Sequence, residues 1–317
     1  MIVRRMPVVS DRNATIGTMP VFWREAPVAE GIPTPLYVHG VPTSSDDWLT
    51  PGVHRAQRAW WKRWWRSKRS TDEWLQAPPY ETGFLERTGG LAPDLPGFGR
   101  SGKAGNLDYT IEGYADFIER YLDLLGVERV SLIVHDWGSV GLAFALRHPE
   151  RVARLVVINA IPFLPGYRWH RTARIWRTPL LGELAMGATT RAVMSFSTRE
   201  ARPGRVPMPG AWLDSVFEHF DQGTQRAILG LYRSSPSDVL AAAGSRLATL
   251  TMPALVIWGQ SDPYIPARFA RAFAQALPHA ELLELADAGH WPWFDRPDMI
   301  DTVADFLAGA VSPTPVG

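Results

Sequence analysis

Three residues far apart in the chain have the types and the order to form one hydrolytic site: Asp136, Asp262 and His290. Asp136 follows Leu132-Ile133-Val134-His135 and precedes Trp137-Gly138-Ser139. An apolar strand ends there, a polar residue takes the turn, and Gly138 opens a helix through Ala143, Phe144 and Leu146. In the G-x-S-x-G elbow, a sharp strand-to-helix turn pushes a nucleophile out above the sheet. Here the central residue is an aspartate, and Val134 stands where the first glycine would be. An aspartate so placed could also simply cap the following helix. Asp262, in Trp258-Gly259-Gln260-Ser261-Asp262-Pro263, comes just after another apolar run, where a triad acid belongs, although it could instead start a turn with Pro263. His290, in Asp287-Ala288-Gly289-His290-Trp291, follows the last apolar run and by itself could be a surface histidine. Nucleophile, acid, histidine is the chain order this type of site requires. His39-Gly40-Val41-Pro42, after an early strand, adds a backbone N–H of the kind that forms an oxyanion hole.

The elements that must position these residues follow from the apolar pattern. Short runs at Leu36-Tyr37-Val38, Val130 to Val134, Leu155 to Ile158, Leu255 to Trp258 and Glu281 to Leu285 alternate with longer helical patterns. That alternation predicts an α/β chain with a mostly parallel sheet flanked by helices. Ile111 to Leu125 reads as a helix with Tyr114, Phe117, Ile118, Tyr121, Leu122 and Leu125 on one face, stopped by Gly126. Ala267 to Leu277 and Asp298 to Leu307 repeat the pattern. From Pro162 to Arg246 the rhythm becomes helical and proline-rich without a convincing strand, which predicts an inserted helical cap domain over 162–246, between core segments 1–161 and 247–317.

Composition narrows the function classes. A formal net charge of +1 offers no global field for nucleic acid. No cysteine is present, so thiol nucleophiles, disulfides and thiolate metal sites are excluded. The eight histidines show no ligand spacing, and no metal or cofactor is expected. Gly97 to Gly102 spells G-x-G-x-x-G, but it follows Pro96 and lies far from the first strand, so it is not taken as a dinucleotide site. No apolar run approaches the roughly 20 residues of a membrane span, and the first ten residues lack a signal-peptide core. A cytoplasmic enzyme acting on a small molecule is the resulting expectation.

The combination of His39-Gly40-Val41-Pro42, Asp94-Leu95-Pro96-Gly97-Phe98-Gly99-Arg100-Ser101-Gly102, Val134-His135-Asp136-Trp137-Gly138, Gly259 to Asp262 and Gly289-His290 resembles the α/β-hydrolase superfamily, in its epoxide hydrolase and haloalkane dehalogenase branch. The resemblance covers nearly the whole chain except Pro51 to Gly83. It implies that Asp136 forms an ester with a saturated carbon, that His290, oriented by Asp262, activates the water that hydrolyses it, and that the N–H groups of Val41 and Trp137 hold the oxyanion. A carboxylate suits epoxides and alkyl halides better than esters, because attack on an acyl group would give a mixed anhydride.

The branches differ in how the leaving group is stabilised. Resemblance to the dehalogenases implies Trp137 as one halide donor; their second donor, an asparagine, is replaced by Val41, leaving Trp169 or Trp176 as substitutes. Resemblance to the epoxide hydrolases implies ring-opening tyrosines, for which a phenol can supply both proton and hydrogen bond. Leu231-Tyr232-Arg233 matches one of them. No tyrosine occurs between Arg168 and Leu231, so Tyr167, His219 and Trp176 are the candidates for the second donor. The expected substrate contacts are His39, Trp137, Tyr167 and Trp176. Epoxide hydrolysis is the favoured expectation, haloalkane dehalogenation the alternative, and a non-catalytic small-molecule-binding relative the reading from another class.

Pro51 to Gly83 stands apart as a basic, tryptophan-rich insertion containing Trp60-Trp61-Lys62-Arg63-Trp64-Trp65-Arg66. A lid, an interfacial helix or a partner contact would fit its composition, as would a peripheral helix. Membrane association is not expected from it, for want of a second anchor, and the rest of the chain offers no basic stripe for nucleic acid.

Overall fold

A computed structural model describes residues 8–50 and 82–310 of the chain. The tryptophan-rich insertion therefore lies, apart from its last two residues, outside the described residues. Eight strands form one sheet in the order β1-β2-β4-β3-β5-β6-β7-β8. β3 (Thr34–Val38), β4 (Gly90–Pro93), β5 (Val130–Asp136), β6 (Val152–Ala160), β7 (Ala254–Gly259) and β8 (Ala280–Leu285) run parallel. β1 (Ser10–Ile16) and β2 (Met19–Ala26) form an antiparallel hairpin, attached to the sheet by antiparallel pairing of β2 with β4.

Alternation along the central strands sends side chains to two faces. Leu36, Val38, Leu132, Val134, Leu155, Val157, Val256 and Trp258 join one apolar cluster. Tyr37, Ile133, Val156, Ile158, Leu255 and Ile257 join the other. The second face is covered by α1 (Phe84–Thr88) and, at the end of the chain, by a helix over Met299–Leu307. α2 (Ile111–Leu124) and α3 (Val140–Arg147) cover the first face. α2 begins where the Thr110 hydroxyl accepts a hydrogen bond from Gly113 N, and it buries Tyr114, Phe117, Ile118, Tyr121 and Leu122 as the periodicity predicts. Gly126, at φ +63°, takes the chain out of the helix.

Between β6 and β7 the chain makes a wholly helical excursion: α4 (Arg171–Arg177), α5 (Leu181–Ala188), α6 (Arg191–Ser197), α7 (Gly210–Glu218), α8 (Gln222–Ser234) and α9 (Ser237–Ala243). It leaves β6 at the carboxyl edge of the sheet, and its Trp169 and Tyr232 pack on Trp137 beside the end of β5. α10 (Arg268–Ala276) then leads into β8, and α11 (Met299–Leu307) ends the described chain.

Candidate functional site

The carboxyl edge of the sheet gathers the predicted residues. Asp136 closes β5 at φ 49°, ψ −121°, a positive φ that is uncommon for a residue with a side chain. Such conformations cost of order 1–3 kcal/mol and persist where the surroundings over-determine them. Two neighbours make room for the elbow. A Cβ on Gly40 would lie 2.6 Å from Asp136 Cβ and 2.7 Å from Oδ2, so only glycine lets the early loop pass this close to the carboxylate. The bulky Val134, unusual two residues before such a turn, is accommodated because Gly141 of α3 lacks a Cβ; one built there would stand 3.1 Å from Val134 Cγ1.

The Asp136 carboxylate is nearly buried and accepts a hydrogen bond at Oδ2 from Val41 N, 2.9 Å away. Burial pushes its pKa up to about 6, against the His290 charge and the backbone N–H groups of Val41 and Trp137, which favour the ionised form. His290 Nε2 lies 3.7 Å from Asp136 Oδ1, longer than a hydrogen bond. Its other nitrogen, Nδ1, is 2.8 Å from Asp262 Oδ2. Burial alone would lower the His290 pKa; the charge and hydrogen bond of Asp262, then the charges of Asp136 and Asp47, overcome it and raise the pKa above the usual histidine value.

Asp262 is fully engaged. Oδ1 accepts from Tyr264 N and Ile265 N at 2.8 and 3.0 Å, and Oδ2 accepts from Asn159 Nδ2 at 2.7 Å as well as from the histidine. Asn159, at the end of β6 with φ 37°, also accepts at Oδ1 from Gly259 N, 2.8 Å away. Sequence reasoning missed this residue. The signal available was an asparagine closing the Leu155 to Ile158 run, since asparagine tolerates positive φ better than most residues.

The expected oxyanion donors, Val41 N and Trp137 N, both favour the charged Asp136 carboxylate. Of the four expected substrate contacts, His39 is placed differently. Its ring is wholly buried, with Nδ1 2.7 Å from Gly40 O and Nε2 accepting from Leu95 N at 2.9 Å. Both nitrogens are spent on backbone, so this side chain braces the loop and has no free polar atom for a substrate. Burial lowers the pKa of His219, considered as a ring-opening donor, and its charged neighbours are Arg100, Asp46 and Asp94. The G-x-G-x-x-G stretch belongs with these groups: it wraps Asp94, whose oxygens accept from Ser45 N and Arg100 N at 2.7 Å each.

Trp137 and Tyr232 meet edge to face with centroids 5.1 Å apart, and Trp169 stacks on Trp137 at 5.5 Å. Trp176 packs against Tyr232 at 5.1 Å. The indole N–H of Trp169 donates to Ser235 O, whereas that of Trp137 is buried without a partner in hydrogen-bond geometry. Tyr167 is wholly buried, and its hydroxyl makes no hydrogen bond. Burial raises the pKa of both tyrosines well above 10, and the Asp136 charge raises each further, so both phenols stay protonated at neutral pH within the field of that carboxylate. Tyr264, whose ring lies 5.0 Å from that of His290, is a site residue the sequence did not single out.

Asp47 links the two sides of the site. Trp212 Nε1 on α7 donates to its Oδ1 at 2.8 Å, and Trp291 Nε1, next to His290, lies 3.4 Å from Oδ2. Burial raises its pKa to about 7 against hydrogen bonds from Thr43 and the two indoles.

The family model described as alpha/beta hydrolase fold matches residues 36–186 and 187–297. The chain belongs to the alpha/beta hydrolase fold family. Among the relatives of this hydrolase, a cis-3-alkyl-4-alkyloxetan-2-one decarboxylase of Shewanella oneidensis is 31% identical over 67% of this chain and 71% of its own length. A haloalkane dehalogenase of Mycolicibacterium paratuberculosis is 32% identical over 67% of this chain and 72% of its own. Solved structures share the fold. The haloalkane dehalogenase DbeA from Bradyrhizobium elkani gives a TM-score of 0.73 at 24% identity, covering 95% of this chain and 98% of that one. The epoxide hydrolase CorEH gives 0.72 at 18% identity, covering 96% and 100%. The hydrolase is thus an enzyme-family member whose relatives act on small molecules, and among the described residues no helix is long and apolar enough to cross a membrane.

Proposed function

We propose that this hydrolase opens epoxides to vicinal diols through an ester on Asp136, with 162–246 serving as a cap that carries the ring-opening acids. One observation carries the choice of substrate: the buried, unpartnered hydroxyl of Tyr167 joins Tyr232 in the electrostatic field of Asp136. An unmade hydrogen bond on a buried hydroxyl costs about 1–3 kcal/mol, so such a group is best explained by a ligand that accepts from it.

In the first half-reaction an Asp136 oxygen attacks an epoxide carbon. The ring carbon–oxygen bond breaks with its electrons going to oxygen, and a tyrosine donates the proton. Esterification removes the Asp136 charge, and with it one of the influences that raise the His290 pKa. The histidine is thereby held more readily in its neutral form, the form that can accept a proton from water, as the ester forms. The 3.7 Å gap between Nε2 and Oδ1 leaves Nε2 free to take a proton from water beside the ester carbonyl. That water adds to Cγ, and the N–H groups of Val41 and Trp137 stabilise the oxyanion. Collapse expels the diol, the proton of the new carboxyl passing to its alkoxide oxygen, and the proton on His290 returns to the tyrosinate.

Halide release is the second reading, favoured by the unpartnered Trp137 indole N–H. It would have that donor alone from the expected set, since the Val41 side chain carries no N–H and the Trp169 N–H is committed to Ser235 O. The relatives support both substrates alike. The test is a substrate panel on the purified enzyme: an aryl epoxide, a bromoalkane and a cis-3,4-dialkyl oxetan-2-one, with diol, bromide and carbon dioxide measured. Diol formation, lost in Asp136→Asn, is expected; bromide or carbon dioxide without diol would overturn the epoxide assignment, and turnover by Asp136→Ala would overturn the nucleophile.

A further inference from the structure

We propose that the outer surface of α5 and α6 docks onto an anionic lipid bilayer. Nine large apolar side chains are exposed among the described residues, and six fall between 180 and 206: Leu180, Leu181, Leu184, Val193, Phe196 and Val206. Leu181 and Leu184 share one face of α5 at the i, i+3 spacing that aligns side chains on a helix, and Leu180 immediately precedes that helix. Val193 and Phe196 share a face of α6, which follows after only Thr189 and Thr190. Leu180, Leu184 and Phe196 are 70–78% exposed, which is a surface left open rather than a poorly closed core. Concentrated apolar exposure of this kind marks an interaction site.

The charge of the same stretch of chain selects the partner. Between 162 and 210 the sequence has eight arginines, two glutamates and no lysine or aspartate, a formal charge of +6 in a chain whose total is +1. Arg191 pairs with Asp214 and Arg202 with Asp295. Arg168, Arg171, Arg174, Arg199 and Arg205 are exposed and form no salt bridge with a described carboxylate. Leucine and phenylalanine flanked by unpaired arginine match an interfacial surface on acidic headgroups: the apolar groups enter the acyl boundary and each cation is drawn to the negative surface. A nucleic acid would satisfy the arginines and leave the aliphatic side chains in water. A second copy of the chain, meeting this face about a two-fold axis, would set the same arginines against one another. Membrane association is not expected from the sequence; the exposed apolar side chains stand out only once the helices between β6 and β7 are folded.

The test is flotation of the full-length protein with phosphatidylcholine vesicles, with and without phosphatidylglycerol. Binding is expected only to the anionic vesicles and should weaken as salt is raised. Leu184→Glu with Phe196→Glu should reduce it about tenfold or more, and Arg171→Gln with Arg174→Gln should flatten its salt dependence, with thermal unfolding unchanged in both. Three results would overturn the proposal: no flotation of the wild type, flotation undiminished in the Leu184/Phe196 variant, or a concentration-dependent dimer that this variant abolishes.

Discussion

The sheet edge and the helices above it treat their polar groups in opposite ways. At the sheet edge the acid and the loop histidine are fully engaged: Asp262 accepts four hydrogen bonds, Asn159 ties it to Gly259, and His39 is held by backbone at both nitrogens. Above it, the Tyr167 hydroxyl has no partner, and the indole of Trp137, a sheet-edge residue in the same aromatic cluster, has Tyr232 as its polar neighbour. A satisfied network fixes geometry before substrate arrives, while unsatisfied donors wait for a group that develops charge during the reaction. Positive φ at residues with a side chain does not follow this division: Asp136 and Asn159 fall where strands end, and Leu180 and Arg205 lie in the helical region.

Breaking the sheet-edge side should have the largest effect. Asp136→Asn is expected to lower turnover about 10⁴-fold or more, because the amide is not a competent nucleophile. Stability should move the other way. The folded-state pKa of Asp136 is raised to about 6 from 3.8, so the folded protein binds more protons than the unfolded chain between those values and loses stability as pH rises through that window. Relative to wild type, the asparagine variant should therefore gain about 1–3 kcal/mol between pH 4 and 6 and keep that gain above it. Chemical denaturation of both proteins at several pH values measures this; a difference between variant and wild type that failed to grow from pH 4 to 6 would contradict it.

The helical side can be tested next. Tyr167→Phe and Tyr232→Phe should each slow epoxide opening about 10²-fold, the scale of a positioned proton donor, and leave bromide release from a bromoalkane nearly unchanged. Tyr167→Phe should in addition cost little stability, because it deletes a hydroxyl with no partner. Equal losses on epoxide and bromide would mean that the rings act by packing alone.

What was legible in the sequence divides along related lines. β5, β6 and β7 announced themselves as apolar runs, and α2 as a periodic face, because each buries a continuous surface. β1 did not: Ser10–Ile16 is a largely exposed edge strand with few apolar residues to pattern. β4 is four residues long, too short for periodicity to register. Asp136, Asp262 and His290 were legible because their order and local motifs are constrained by the elbow. Asn159 was not, since it acts through Asp262 and carries no motif. The sequence marks Tyr232 through Leu231-Tyr232-Arg233 and leaves Tyr167 one of three candidates, yet both feel the charge of Asp136; folding, and not spacing, brings them into its field. The tryptophans divide in the same way: Trp48 and Trp293 are wholly buried core, while Trp212 and Trp291 bind the Asp47 carboxyl.

Asn159→Ala sharpens the contrast from the positioning side. It removes the 2.7 Å donor to Asp262 Oδ2 and leaves Gly259 N without its acceptor. A loss of about 1–3 kcal/mol in stability is expected from the orphaned groups. Turnover should fall about 10- to 100-fold through misplacement of Asp262 and His290. An activity loss confined to KM would argue that Asn159 shapes binding and does not position the acid.

Asp47 spans both regions, and its replacement should give the smallest and most diagnostic change. Asp47→Asn keeps one oxygen to accept from Trp212 and removes a negative charge that helps raise the His290 pKa. The acid limb of the rate profile should consequently move to lower pH, with turnover at neutral pH changed less than about tenfold. Its own carboxyl, raised to about 7 by burial, favours the folded state when protonated and loses that advantage as pH rises from about 4 to 7. The stability of the variant relative to wild type should thus climb across that interval. If the rate profile moves while this stability difference stays flat, Asp47 is ionised throughout and acts on His290 as a fixed charge. If the stability difference climbs and the profile does not move, the carboxyl is neutral when the enzyme works, and its task is to hold Trp212 of the helical region against Trp291 at the sheet edge.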